Sequence, residues 1–478
     1  MDPVVVIGAG VSGLAAAWSL HRRGIPVRVV EADDQVGGVV RSTRLDDGTV
    51  LDLGPQTLST KDPDLQETLQ EVGLGPRTLT ADPASGRRFV VHEGQVVELP
   101  SGPFSLARTP LLSAGAKFRL LGEPFRKGGV DAEGEPVDTE AESIADFVRR
   151  RLGPEVLDHM VDPFVSGVFA GDPEKISVAA ALPELQALEG EHGSIIRGGV
   201  KKMQAARKAR KEREAASGVP EERPRNRILS FDEGLQSWPR AVADALGDQV
   251  HLSTRVVGLG RAEGEAGGWE VRLESGSDGS TEVIHTGAVI LAIPADAVAR
   301  LLKKLDEAVA RALVEIPYAP VSVVHVVHPL SQVEHPLTGF GVLAPSGENR
   351  GILGSLWPNA VFPGRNPAGQ AVLANFVGGA RTPERAMAET DEILGMVRRE
   401  LGDLLGLRGD PIHQRVTRWP EAIPQYTRGH LDRIREVARF EEAAPGIRLV
   451  GSWRDAVSLG GCWATGARVG TEVARTLG

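Results

Sequence analysis

The chain has 478 residues, 41% of them hydrophobic and 25% charged, a composition typical of a globular protein with room for two or three cores. A formal net charge of −10 argues against nucleic acid as the main partner, and a single cysteine, Cys462, excludes a disulfide framework and points to a reducing compartment. No run approaches the ~18 consecutive apolar residues of a membrane-spanning helix, and the first residues lack the basic region, apolar run and cleavage site of a secretory leader.

Val4–Ile7 is a β-branched run suited to a buried parallel strand. Gly8, Gly10 and Gly13 follow at G-x-G-x-x-G spacing, interleaved with Ala9, Val11 and Ser12, and the pattern predicts a helix over 11–23. Gly24 stops that helix, and Val27–Val30 reads as the next strand, ending on Glu31 and Ala32. In such a βαβ unit the first glycine permits a tight turn, the second lets a diphosphate approach the backbone, and the third lets helix and strand pack closely. The diphosphate would rest on the helix N-terminus, where free N–H groups and the helix dipole favour an anion. Glu31 would accept hydrogen bonds from ribose hydroxyls and would repel a 2′-phosphate.

The glycines alone do not say which dinucleotide is bound. Two later stretches, "ADDQVGGVVRST" (32–43) and "DLGPQTL" (52–58), resemble motifs of amine-oxidase-type flavoproteins. The resemblance implies non-covalent FAD, with Gly38 and Val39 backing the diphosphate and Gly54, Pro55, Gln56 and Thr57 passing beside the flavin ring. Gln35 and Val39 stand where that family usually has arginine, and Arg41 and Arg44 are the nearest cations.

Residues 101–229 read as mostly helical, but "DPFVSGVFAGDPEKIS" (162–177) alternates too irregularly for a helix or a strand. Residues 197–227 carry eleven Lys/Arg against four acids. Two readings stand side by side: a solvated helix and loop, or a surface drawn to anionic lipid headgroups, with the apolar stretch at 104–125 lying in the interface beside it. Further on, 250–261 is a strand with Val256 near its end. Residues 315–425 alternate β-rich runs with a helix near 385–406, and 446–477 reads as strand, glycine-rich turn and helix. The flavoprotein resemblance places Val256 near the adenine. It also makes the last block the closing FAD motif, with Ser452, Val457, Ser458 and Leu459 at the matched positions and a helix N-terminus beside the flavin. Cys462 in that block reads as a buried thiol and not as a flavin attachment.

The match then narrows. The segment 143–198, including "AGDP", together with "FDEGLQSWP" (231–239), "GFGVLAPS" (339–346) and "WPEAIPQYTRGHL" (419–431), resembles the protoporphyrinogen oxidases along essentially the whole chain. That resemblance implies a tetrapyrrole, protoporphyrinogen IX, oxidised in three two-electron steps by hydride transfer to the flavin, with O2 or a quinone as the final acceptor. It carries over Gly167 as the bare face of the slot, Phe340, Leu343, Leu356 and Phe376 as apolar walls, and Arg88 as the partner of a propionate, with Arg87 as an alternative register. No protein base is assigned; His92, His159, His192 and His430 are candidates only in principle, and no metal is expected.

The expected fold class is α/β and α+β. A Rossmann-type FAD-binding domain is built from 1–80, 230–314 and 429–478, a β-sheet substrate domain from 81–100 and 315–428, and a mostly helical, membrane-associated domain from 101–229. The resulting expectation is a cytoplasmic protein lying peripherally on the membrane, with a homodimer left open. Oxidation of coproporphyrinogen III stays open as the alternative reaction, with an amine oxidase or desaturase, or a non-catalytic porphyrin binder, further behind.

Overall fold

The structure is a computed structural model that describes residues 2–126, 128–129, 138, 140–217, 227–262, 268–276 and 278–477. Its centre is a five-stranded parallel sheet in the order Val250–His251, Val27–Val30, Val4–Ile7, Val289–Leu291, Ile447–Leu449. The strands come from three distant stretches of sequence. Both faces are covered, which is why Val4–Ile7 and Val289–Leu291 are unbroken runs of Val, Ile and Leu, while the flanking strands carry Arg28, His251 and Arg448. Val4 and Val6 enter the core shared with the helices Val11–His21 and Leu459–Leu477. Val5 and Ile7 enter the opposite one, with Trp269, Val271 and Leu273 of an antiparallel three-stranded sheet.

The first and last helices touch backbone to backbone. A Cβ on Gly466 would lie 2.2 Å from the Ser12 carbonyl oxygen, and one on Gly470 would lie 2.5 Å from that of Ala16. Only glycine fits at these two crossings, and the contact fixes the closing helix against the helix that follows Gly10.

A second, seven-stranded sheet runs in the order His413–Pro424, Tyr318–Pro329, Gln370–Gly378, Gly354–Leu356, Gly341–Leu343, Phe89–His92, Gln95–Glu98. It is antiparallel except between Gly341–Leu343 and Phe89–His92. The helix Thr390–Leu405 covers one face, burying Ile393, Val397 and Leu401 against Val324, Val342 and Val377.

The helical part clusters around Phe147, Val148, Val165 and Phe169. Contrary to expectation, Asp162–Phe169 is an α-helix, continuing from a π-helical turn at Leu157–Val161. Pro163 sits in its first turn, where the missing N–H has no intrahelical partner to lose. Val165 and Phe169, four residues apart, are buried, whereas Phe164, Gly167 and Val168 on the other side face outward. Both sides are apolar, so no amphipathic pattern survives in the sequence. The helix ends at Ala170 in the left-handed region (φ 45°), followed by Gly171.

The basic run forms the helix Ile195–Ser217, and Arg227 opens the strand Arg227–Phe231; Glu221, Glu222, Arg223 and Arg225 lie outside the described residues. Its first turn is held by the fully buried Glu123, whose carboxylate accepts from Ile195 N (3.0 Å), Ile196 N (3.2 Å), Ser194 Oγ (2.5 Å) and Arg151. Among the described residues no helix is long and apolar enough to cross a membrane.

Candidate active site

Gly8 adopts φ 103°, and a Cβ on Gly13 would lie 2.0 Å from the Gly8 carbonyl, so the turn and the close packing both require glycine. Gly10 differs, since nothing lies within 4 Å of where its Cβ would be. It caps the helix Val11–His21, whose first turn carries no acidic residue and whose N-terminus receives no side-chain cap. The first amides of the helix therefore have no side-chain partner, and the space beside Gly10 is open, as an anion site requires. Glu31 closes one end. Its Oε2 accepts from Ala9 N (2.7 Å) and its Oε1 from Asp33 N (2.9 Å), leaving a lone pair on each oxygen for a hydroxyl. The strand Thr254–Arg261, which carries Val256, starts beside it through Thr254 N to Glu31 O (2.8 Å), and Ala32 is exposed there.

The glycine pair lies against this turn. Gly37 bridges Gly10, and Gly38, at φ 60°, would carry a Cβ 3.5 Å from the Gly10 Cα. Gln35, where an arginine was the family's pattern, accepts from Gln236 Nε2 (2.8 Å), and Gln236 also accepts from Ser42 N (3.0 Å). Arg41 is the cation placed at the pair: Nε donates to Gly38 O (2.8 Å), Nη2 pairs with Asp33 (2.7 Å), and Nη1 is buried without a hydrogen-bond partner among the described residues. Arg44 is exposed on a strand edge.

Gly54 passes so close to the Val39 carbonyl that a Cβ would lie 2.2 Å from it. Pro55 and Thr57 are half-buried, and Gln56 is buried, its amide nitrogen donating to the Asp52 and Gly54 carbonyls, which leaves Gln56 Oε1 as a buried acceptor with no donor. Asp52, at the head of this segment, is fully buried and paired with Arg365 (2.8 Å) from the seven-stranded sheet side. An uncapped helix N-terminus, a buried guanidinium nitrogen without an acceptor and a buried amide oxygen without a donor are what a diphosphate and a ring N–H would satisfy. The residues present fit a flavin dinucleotide.

The closing block completes the cradle. Ser458 caps the helix Leu459–Leu477 through Oγ to Gly461 N (3.2 Å), and a Cβ on Gly460 would strike the Ser59 carbonyl at 2.3 Å. Val457 packs against the helical core, and Ser452 O accepts from Tyr426 Oη (2.5 Å). Cys462 is buried with Sγ on Ala456 O (3.2 Å), and burial pushes its thiol up to about 11, so it stays a neutral packing group.

The substrate candidates fall on one face of the seven-stranded sheet. Register pairs Leu343 with Gly354 and Gly354 with Phe376, while Leu356 pairs with Gly341 and Ala374. Paired residues, and residues two apart on a strand, point the same way, so Leu343, Leu356 and Phe376 share a face. All three are half-buried, whereas their neighbours Val342, Ser355 and Asn375 are buried on the other side. The helix Asp162–Phe169 lies over this face. A Cβ on Gly167 would lie 2.6 Å from Leu343 Cδ2, and Ala170 shares a cluster with Phe376. Gly171 N, which would close on the Gly167 carbonyl in a continued helix, turns to Val165 O instead (3.5 Å). Arg381 locks the helix to the sheet by pairing with Asp162 (2.5 Å) and Asp172 (3.3 Å).

Arg88 stands over the Phe340 ring (5.1 Å), with one long bond to Gly86 O (3.3 Å), and has no carboxylate partner among the described residues. Arg87 is committed to Glu98 (2.7 Å). Two residues escaped the sequence reading: Phe164 and Val168, each 43% exposed, flank Gly167 on the same side of its helix. Their only signal was i, i+3, i+4 spacing in "FVSGV", which a segment read as irregular did not reveal.

The parallel sheet with its glycine turn, the acidic strand end and the closing helix define a flavin-dependent oxidoreductase with a separate substrate sheet. A model of the family of flavin containing amine oxidoreductases matches residues 11–474, and the chain belongs to that family and, within it, to the protoporphyrinogen oxidases. It is 34% identical over 473 residues to protoporphyrinogen oxidase 2, chloroplastic/mitochondrial, of Arabidopsis thaliana, covering 97% of this chain and 92% of that one. It is 31% identical over 502 residues to protoporphyrinogen oxidase of Homo sapiens, covering 99% and 98%. In fold it is similar to a candidate protoporphyrinogen oxidase from Exiguobacterium sp. 255-15, with a TM-score of 0.80 at 22% identity over 99% of both chains. Putrescine oxidase bound to putrescine gives a TM-score of 0.64 at 18% identity, again over 99% of both. The protein is an FAD-dependent oxidoreductase.

Proposed function

We propose that this chain oxidises protoporphyrinogen IX to protoporphyrin IX, the reaction named by its relatives in Arabidopsis and human. The observation that carries the reading is Arg88, a guanidinium without a carboxylate partner at the rim of an otherwise apolar, half-open face. When bound, FAD would supply the redox chemistry, hydride acceptance from the methylene bridges in three two-electron oxidations, each with a pyrrole N–H proton lost to solvent and with O2 or another acceptor as the final oxidant. The chain's own part is placement. Gly167 presents bare backbone, Leu343, Leu356 and Phe376 form an apolar wall with Phe164 and Val168 beside it, and Arg88 holds one propionate by its two-pronged fork. No side chain is assigned as a base; His430 and His325 are buried and neutral, burial pushing them down to about 4 and about 3. The same apolar wall supports protoporphyrinogen over coproporphyrinogen, because four propionates call for several free cations, and Arg87, next to Arg88, is already held by Glu98.

FAD is held non-covalently in this reading, since a buried neutral thiol at Cys462 makes a poor nucleophile. The apolar side chains of Phe104 (70% exposed), Phe118 (74%), Leu121 (71%) and Phe125 (87%) stand out from the helical part. The basic helix Ile195–Ser217 is fixed beside them by Glu123, and together they support peripheral attachment to an anionic membrane surface. The test is turnover of purified, yellow protein with protoporphyrinogen IX and coproporphyrinogen III side by side, read as porphyrin fluorescence. Faster turnover of coproporphyrinogen would replace the proposed substrate.

A further inference from the structure

The string "IPQY" (423–426) enters the site so far only through the bond from Tyr426 to Ser452 O, yet it stands between the two halves of that site. Gln425 and Tyr426 follow the last residue of the strand His413–Pro424 and are both 3% exposed. Gln425 Nε2 donates to Phe169 O (2.7 Å), one of the last-turn carbonyls of the Gly167 helix that have no partner within the helix, and to Ile423 O (3.0 Å). The other side of the same amide is wedged against Gly171, where a Cβ would lie 2.7 Å from Gln425 Oε1. Tyr426 O accepts from Ser177 N (2.8 Å), and the next residue, Thr427, bridges Ile176. The Tyr426 ring is stacked on His430 (4.3 Å, 15°) and tilted against Phe169 (6.5 Å). Its hydroxyl crosses to the closing block and donates to Ser452 O (2.5 Å), six residues before the cap of the last helix. Burial raises the phenol well above its ordinary range, so it remains a donor, and the His430 ring beneath it stays neutral.

We propose that Gln425 and Tyr426 are positioning residues: one dipeptide grips the end of the Gly167 helix with its amide and the cofactor-side turn at Ser452 with its phenol, setting the width of the gap between substrate and flavin. The inference rests on the functional reading above. Hydride transfer is steep in distance, a misplacement of about 1 Å costing on the order of 100-fold, so a tether of this kind controls rate more than affinity.

The variants are Tyr426→Phe, which removes one oxygen from an otherwise unchanged ring, and Gln425→Met, which keeps the bulk and loses the amide. Each is prepared as the FAD-loaded protein and measured per bound flavin. With protoporphyrinogen under anaerobic conditions, flavin bleaching in either variant is expected to slow ~10–100-fold, KM to move less than ~3-fold, and the visible circular dichroism of the flavin to change. The double variant should be slowed by less than the product of the two, because both act on one gap. Bleaching per flavin at the wild-type rate, with only the melting temperature lowered, overturns the proposal and makes the dipeptide plain structure. Should the wild-type flavin itself not bleach, the functional reading falls. The tether is then judged on the flavin dichroism alone, and an unchanged spectrum in both variants overturns it.

Discussion

Replacing Gly167 by alanine adds one methyl group at the contact on which the substrate face depends. The new Cβ would stand 2.6 Å from Leu343 Cδ2, whereas ordinary contact begins at 3.4 Å, so the leucine must withdraw by about 0.8 Å. Gly167 has ordinary helical dihedrals, and alanine in place of a mid-helix glycine gains ~1 kcal/mol of propensity. Overpacking costs ~1–3 kcal/mol, so global stability should stay within ~2 kcal/mol of wild type. Leu343 is half-buried and would yield along its exposed face, the face proposed above for the macrocycle. The cost therefore falls on binding: ~1–3 kcal/mol corresponds to a rise of roughly 5–150-fold in substrate dissociation constant. Steady-state turnover with protoporphyrinogen, beside thermal melts, separates the two effects. Adding Leu343→Ala to Gly167→Ala should recover part of the lost affinity, since it vacates the space the methyl needs. Wild-type affinity in Gly167→Ala, coupled with a melting temperature several degrees lower, would refute the placement of Gly167 at the slot.

Arg88→Ala should raise KM by about 10-fold or more with little change in melting, because among the described residues its guanidinium makes one long bond to Gly86 O and lies over the Phe340 ring; Arg87→Ala, losing a surface pair worth ~1 kcal/mol at most, should leave KM unchanged, and the opposite result would exchange their roles. His325 and His430 titrate in the unfolded chain near 6.5 but are held down to about 3 and about 4, so the unfolded state binds more protons and stability falls as pH drops from 6.5 toward those values. Between pH 8 and pH 5 each costs about 2 kcal/mol, a figure set by the unfolded-state value; urea midpoints should fall accordingly and His430→Phe should remove its own share of a slope to which His251, His328 and His335, also held down by burial, add, while a chain more stable at pH 5 would contradict this. Ala170 occupies the left-handed region (φ 45°, ψ 34°), so Ala170→Gly should stabilise by ~1 kcal/mol and raise the melting temperature by a degree or two; a lower one would contradict this.

The cofactor side was legible because its demands fall on the backbone. A turn at φ 103° and a crossing 2.0 Å from a carbonyl admit glycine alone, and Gly8 and Gly13 show it in their spacing. The substrate side left fainter marks, since Leu343, Leu356 and Phe376 are ordinary strand residues. What sets them apart is a face half-open to solvent, and that depends on register with strands whose paired residues lie 11 to 22 positions away. Arg87 and Arg88 could not be told apart until Glu98, on the neighbouring strand, was seen to take the first. Gln35 looked like a lost cation because its partner, Gln236, is 201 residues distant, and Arg41 took up the charge only once the loop had closed onto Gly38. The helix Asp162–Phe169 was missed for a different reason: Val165 and Phe169 pack inward while Phe164 and Val168, equally apolar, stand exposed on the other side.

The most direct test of the account is to mix the yellow protein with protoporphyrinogen IX in the absence of oxygen and follow flavin absorbance. Rapid bleaching, followed by porphyrin fluorescence when air is admitted, is the predicted result. Flavin that stays oxidised with the porphyrinogen but bleaches with a primary amine would contradict it.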